Sequence, residues 1–424
     1  MEFCEDVKLL VCVLTIFFGM GSWIAVNGVF IELPILVGQL PEGWSLPSYL
    51  TVVVQIANIG PLVYTVWSLM KPNHGYEKSF VFVLIFVCSA AVFLLSFFWN
   101  ETSEIGEMEH STALFILTFI LSIVACMSSV VFLPFMNSIK SRYITPFFIG
   151  MGFSGLVPSL VALAQGVGQG ECKNTSAVNM TTNVTVYWMY AYYHPPNFPV
   201  KYFFLFIFTM MVICGISFVM LNYLPYCKTE HVYTLGKNIP VHENSVEETA
   251  NLRKSVHPDE MASRMSRNKI VYYLTLVVWL NALLNGVLLS VQSYACLPYG
   301  YKYYHLSVTL ANIADPVAGF LAFFKTVNTA GGIGCISLVG TTISAYLVVV
   351  AASSPTPMFV WSNFGGMIVV VAYVMVYFTL TFSKISIAAL FRGEGRKALL
   401  WCGAATQTGA AIGSIVMFVV VNVY

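Results

Sequence analysis

The chain has 424 residues, 58% of them hydrophobic and only 9% charged, with a formal net charge of +1. A soluble domain carries about 25% charged residues, so the composition excludes a water-soluble globular protein, and the lack of any long polybasic run excludes a nucleic-acid binder. Repeated apolar runs of about 20 residues, without the alternation a membrane barrel needs, predict an all-α polytopic membrane protein.

Eleven spans are expected in chain order, near 9–38, 47–70, 79–99, 111–138, 143–167, 201–224, 270–292, 303–325, 333–352, 359–382 and 397–422. The first lacks a cleavage signature and reads as a span, not a signal peptide; Pro34 predicts an irregular outer end for it. The polar, charged segment 225–269 reads as a flexible cytoplasmic linker between an N-terminal half, 1–224, and a C-terminal half, 270–424. An N-terminus inside places 17 of the 20 Lys and Arg on the cytoplasmic side and the C-terminus outside. Sequons at Asn100, Asn174, Asn179 and Asn183 then all fall outside, three of them in the loop 168–200, which reads as a glycosylated exterior loop. Cys172 and Cys296 are the two cysteines in exterior loops; a disulfide between them and a pair of free thiols are both open readings.

Two short motifs recur in the same order. "NGV" at 27–29 and "ANIGP" at 57–61 lie in spans 1 and 2; "NGV" at 285–287 and "ANIADP" at 311–316 lie in spans 7 and 8. Spans 1 and 7 both start inside, so the halves are expected to be parallel repeats, as in one large group of transporters with a site between them.

The same spans carry polar stripes. Trp23 and Asn27 lie on span 1, Gln55 and Asn58 on span 2, Asn281, Asn285 and Gln292 on span 7, and Asn312 and Asp315 on span 8, with Gln407 on span 11. Polar side chains at membrane depth turn toward protein or a wet cavity. Each amide can be a substrate contact or interhelical glue, and an amide beside Pro61 or Pro316 can instead satisfy the carbonyl that the proline frees. The acids within spans are Glu32 and Asp315, with no Lys, Arg or His expected beside them at depth. Glu32, near the outer end, is expected to be partly hydrated. Both are groups able to carry a proton, while a facilitator needs neither. This chemistry suits a neutral solute rich in hydrogen-bonding groups, with aromatics to stack on it. No metal spacing, Walker loop, cofactor fingerprint or catalytic pair is found, so no cofactor and no enzyme activity are expected. A nucleoside or other heterocycle transporter and a non-transporting receptor are the alternatives that composition leaves.

Longer strings carry a resemblance. "GMGSWIAVNGVFIELPILVGQLPEGWSLPSYLTVVVQIANIGPL", "GLVPSLVALAQG", "NALLNGVLLSVQSYACLPYG", "YHLSVTLANIADPVAG" and "ALLWCGAATQTGAAIGSIVMF" resemble the eukaryotic riboflavin transporters of solute carrier family 52. The resemblance implies riboflavin uptake at the plasma membrane and a six-plus-five fold similar to equilibrative nucleoside transporters. Two positions depart from the family pattern: Ala125 stands where an acid is usual, and Asp315 where an amide is usual.

Overall fold

The computed structural model describes residues 8–70, 77–136, 138–167, 170–178, 185–193, 195–231, 265–360, 362–394 and 396–423. The chain is helical nearly throughout. Helices α1 (Leu9–Met20), α2 (Ile24–Leu36), α3 (Leu46–Ala57), α4 (Ile59–Met70), α5 (Glu77–Phe98), α6 (Thr112–Met136), α7 (Ile144–Gln165) and α8 (Val200–Tyr223) precede the linker. The short α9 (Pro225–Lys228) closes that set; α10 (Arg267–Asn281), α11 (Leu288–Cys296), α12 (Tyr301–Phe324), α13 (Ala330–Ala352), α14 (Asn363–Glu394) and α15 (Arg396–Val423) follow.

Among the described residues eight helical segments are long and apolar enough to cross a membrane, or nine if α1 and α2 count as one bent span. The expected eleven are therefore not all of this kind. The 25-residue α6 and the 24-residue α12 are the remaining long helices; at 1.5 Å per residue each has the length to cross a bilayer. Polar residues, Asp315 among them, dilute the apolar character of α12.

Two expectations are corrected. Pro34 sits inside α2, which ends two residues later at Leu36, and the main break of the first span lies elsewhere. The span bends by 55° between Met20 and Ile24, where Gly21 presses on Cys214 of α8 so closely that a Cβ would lie 2.1 Å from its sulfur. The all-α expectation is also amended by two strand hairpins in the connections. β1 (Ser103–Ile105) pairs antiparallel with β2 (Met108–His110), and β3 (Gly170–Val178) with β4 (Thr185–Tyr193). The side of the molecule carrying these hairpins is called the hairpin face; the opposite side, where Lys8, Lys140 and Glu230 meet, is the linker face. Linker residues 232–264 and sequon residues Asn179 and Asn183 lie outside the described residues.

The segments that carry the two "NGV" motifs each lie near a close glycine contact between helices. α1 runs against α7 with glycines at the contact: a Cβ on Gly150 would sit 2.0 Å from the Ile16 carbonyl oxygen, and one on Gly19 2.2 Å from that of Phe147. In the second set α10 runs against α15 in the same manner, where a Cβ on Gly409 would sit 2.2 Å from the Val278 carbonyl oxygen. Small residues let backbones approach in a medium where no hydrophobic force drives helices together. The second "NGV" motif lies within a π-helical stretch, Ala282–Val287, and the first in regular α2 just past the bend in span 1. Such π segments often mark functional positions.

Candidate functional site

Asp315 supplies the clearest geometry. At 100° per residue it shares a face of α12 with Tyr304, Val308, Ala311, Ala318 and Ala322, all buried. The opposite face carries Val317, Leu321 and Phe324, exposed apolar side chains suited to lipid. Yet Asp315 is exposed. An accessible carboxylate on the inward face of a packed helix opens onto an interior space. Its Oδ1 accepts a hydrogen bond from the hydroxyl of Thr381 on α14, and Tyr377, one turn earlier on α14, lies close enough to feel its charge. Among the described residues no cation pairs with it: the ion pairs join Glu230 to Lys8, Lys140 and Arg142, and Glu42 to His110.

One turn toward the hairpin face, three helices meet at Gly155 of α7. Asn27 of α2 donates through Nδ2 to the Ser154 hydroxyl at 3.2 Å. The place a Gly155 Cβ would occupy is 3.6 Å from Asn27 Nδ2 and 3.4 Å from the Asn312 backbone oxygen. That oxygen is the acceptor Pro316 frees, because proline has no N–H to give it. The Asn312 amide bonds Val308 instead, at 2.9 Å, and the Asn58 amide bonds the Gln55 side chain at 3.1 Å. Neither serves the carbonyl freed by its proline. Asn27, Asn312 and Asp315 therefore form one polar strip between the two helix sets.

The other expected residues divide. Gln55 and Asn58 are half-buried at the break between α3 and α4. Trp23 is half-buried at the bend of span 1. Gln407 is exposed on the linker-face part of α15. Gln292 is 3% exposed and its amide has no hydrogen-bond partner among the described residues. Asn281, by contrast, is fully buried, donating to the Val277 carbonyl at 2.8 Å and accepting from Asn285 at 3.1 Å; it acts as packing, not as lining. Glu32 is corrected too: it is 1% exposed, not partly hydrated, and accepts from Gln165 Nε2 at 2.9 Å. His305 is buried near the hairpin end of α12, bonded to the Ala162 backbone. Cys296 is a free, buried thiol, so the disulfide is not formed here; the side chains of Cys172 and Asn174 lie outside those described. Ala125 is 2% exposed in the packed core, so the acid usual at that position and the one at Asp315 would occupy unlike surroundings.

The sequence reading missed Ser154, Gly155 and Thr381. Only Gly155, in "GFSG", carried a local signal, a small residue in a span; a lone hydroxyl on an apolar helix carries none.

The interior space is shut on one side. At the hairpin face the Ser293 hydroxyl donates to the Trp44 carbonyl, Thr51 meets Ser290 at 3.2 Å, and Asn422 donates to Ser48 at 3.3 Å. Trp44 abuts Tyr294 edge-on at 5.7 Å, and Tyr49 abuts Phe418 at 5.0 Å. These contacts join α3 and its lead-in to α11 and α15. Past Asn58 the same helix pair parts: α4 packs chiefly on α6 and exposes Ile59, Leu62 and Val63, while Trp401 is exposed on α15. The two sets are therefore joined by side-chain contacts at the hairpin face, while toward the linker face α4 turns to α6. Two surface grooves, lined by Ile343, Phe364 and Met367 and by Phe82, Phe93 and Phe208, are apolar and lie away from these groups.

Two helix sets that pack through matching glycine contacts, joined at the hairpin face beside an amide strip and one accessible carboxylate within apolar helices, fit a membrane transporter. Residues 7–424 match the sequence profile of "Solute carrier family 52, riboflavin transporter". The chain is 40% identical to "Solute carrier family 52, riboflavin transporter, member 3-B" of Danio rerio, over 98% of this chain and 97% of that one. It is 38% identical to member 3 of Homo sapiens, over 98% and 95%. The chain belongs to solute carrier family 52. That is a family of transporters, not enzymes. Solved structures with a similar fold include the nucleoside transporter NupG, with a TM-score of 0.51, 11% identity, and 99% and 90% of the two chains covered. An inward-facing bacterial homolog of the lysosomal transporter Spinster has a TM-score of 0.54 at 12% identity, covering 97% and 82%.

Proposed function

We propose that this chain carries riboflavin across the plasma membrane into the cell by alternating access. The observation that carries the reading is an accessible carboxylate, Asp315, on the inward face of α12 beside Asn27 and Asn312, between two helix sets joined at the hairpin face. Family membership supplies the substrate: the relatives are named riboflavin transporters. The ligand fits the strip. Its isoalloxazine is flat and apolar on its faces, its imide edge and ribityl tail offer donors and acceptors, and it carries no charge for a buried cation to balance.

In this reading α6 and α12 also cross the bilayer, making eleven spans in groups of six and five. The hairpin face lies outside, with Asn174, Asn179 and Asn183 glycosylated, and the linker face is cytoplasmic, as the Lys and Arg bias favours. Transport rocks the first set against the second. Of the two acids, Asp315 is the accessible one, since Glu32 is enclosed with Gln165.

The test is uptake of labelled riboflavin into cells expressing the chain, with excess unlabelled flavin or nucleoside as competitor. Competition by flavin alone supports the reading; competition by nucleoside alone moves it to the neighbouring substrate class. Saturable binding without accumulation in sealed vesicles would make the chain a receptor. Uptake unchanged from about pH 5.5 to 8 would exclude proton coupling.

A further inference from the structure

We infer that Thr381 is a positioning residue that aims Asp315 at the substrate, and that this pair reads an N–H or O–H donor on the flavin. The inference rests on the riboflavin reading above and adds a specific contact to it.

Thr381 is 2% exposed and sits on α14, the helix packed most extensively against α12. A carboxylate has two oxygens and about four acceptor positions, and a free one rotates about its last bond. The Thr381 hydroxyl occupies Oδ1, which fixes the plane of the carboxylate and leaves Oδ2 for a partner. Asp315 is accessible from the interior and pairs with no cation among the described residues. A carboxylate so placed only accepts. It therefore selects for a donor, where an asparagine would serve a donor or an acceptor alike. Riboflavin presents donors at two places, the imide N3–H of the ring and the ribityl hydroxyls. The shared chemistry is a neutral donor, and the charge on Asp315 makes that bond stronger than one to an amide.

Three variants and three solutes separate the outcomes, with surface abundance measured in each case. Thr381→Val keeps the shape and removes the hydroxyl; Thr381→Ser keeps the hydroxyl and removes a methyl. Riboflavin is compared with N3-methylriboflavin, which lacks the imide donor, and with lumiflavin, which keeps the ring and lacks the ribityl hydroxyls; the last two are read as inhibition constants against labelled riboflavin. The expected result is a roughly tenfold rise in KM for riboflavin in Thr381→Val with little change in maximal rate, near-normal KM in Thr381→Ser, and a similar KM rise in Asp315→Asn. The tenfold loss should vanish for whichever analogue lacks the donor that Asp315 reads. Equal loss for all three solutes, or a normal KM in Thr381→Val, overturns the inference while leaving riboflavin transport standing. Absence of riboflavin uptake by the unaltered chain would instead remove the functional reading itself.

Discussion

Gly413 on α15 faces the carbonyl oxygen of Ala282 so closely that a Cβ there would lie 2.3 Å from it. The same glycine's backbone meets Gly286 of the second "NGV" motif, where a Cβ would fall 2.4 Å away. Two backbones are in contact, and no side chain can turn aside to make room. Gly413→Val is therefore expected to disrupt the packing of α15 on the π-helical stretch Ala282–Val287, at a cost at or above the roughly 1–3 kcal/mol of an overpacked core. Thermal unfolding of the detergent-solubilised protein should show a clear fall. Gly403→Ala on the same helix, where a Cβ would meet nothing within 4 Å, should be close to neutral; equal losses at both positions would refute close packing as the cause.

The strip and the packed amide should separate in assays. Asn27→Ala removes a group beside Gly155 and Asn312 and is expected to raise riboflavin KM about five- to tenfold, the scale of one lost hydrogen bond, with abundance preserved. Asn281→Ala should instead lower stability by about 1–2 kcal/mol, because it strips the Asn285 amide of its partner inside a packed helix. A KM effect from Asn281→Ala with normal stability would reverse their assignments.

Thr51 and Ser290 lie 3.2 Å apart across the closed hairpin face. Thr51→Cys with Ser290→Cys, in a chain whose more accessible Cys12 and Cys335 are replaced by Ser, should form a disulfide. Oxidation would then hold that face shut and stop uptake, and reductant should restore it. Full uptake with the bridge formed would show that this face never opens.

Glu230 gathers Lys8 at 3.5 Å, Lys140 at 3.1 Å and Arg142 at 3.2 Å, tying the start of span 1 to the α6–α7 connection and the end of α9. Burial alone would push its carboxyl up, but the Lys140 hydrogen bond and the charges of Lys140, Arg142 and Lys8 outweigh it and hold it below the ordinary value of 4.5. A carboxyl lowered in the folded state contributes stability that is present above the unfolded value and is lost as pH falls through the folded one. Glu230→Ala should cost about 1–2 kcal/mol at neutral pH, less than a fully buried pair because the three cations keep some exposure. The stability gap between the two proteins should close as pH falls below about 4.5; a gap unchanged there would mean that charge does not hold this knot.

Much of the site was legible one residue at a time. Asp315 and Asn312 stood out because a helix in lipid gives polar groups few reasons to be there, and Asn27 was marked by its recurrence at Asn285. The fate of each amide was not legible. Asn281 and Asn285 sit on one line of the helical wheel, yet Asn281 is sealed in packing. Wheel position states only which way a side chain starts out; whether another helix covers it depends on contacts far off in the chain. Glu32 was misjudged for the same reason: its depth near a helix end suggested water, but Gln165, 133 residues later, encloses it. The bend of span 1 followed a glycine contact with α8 and not the proline that local rules favour.

By itself the sequence determined the solvent of this protein, its helical class and its family, because hydropathy and motif strings are local properties of the chain. Tertiary structure decided which face is closed, which amides meet, and that Thr381 rather than an amide holds Asp315. Those outcomes depend on which helix lies beside which, and no single helix carries that information.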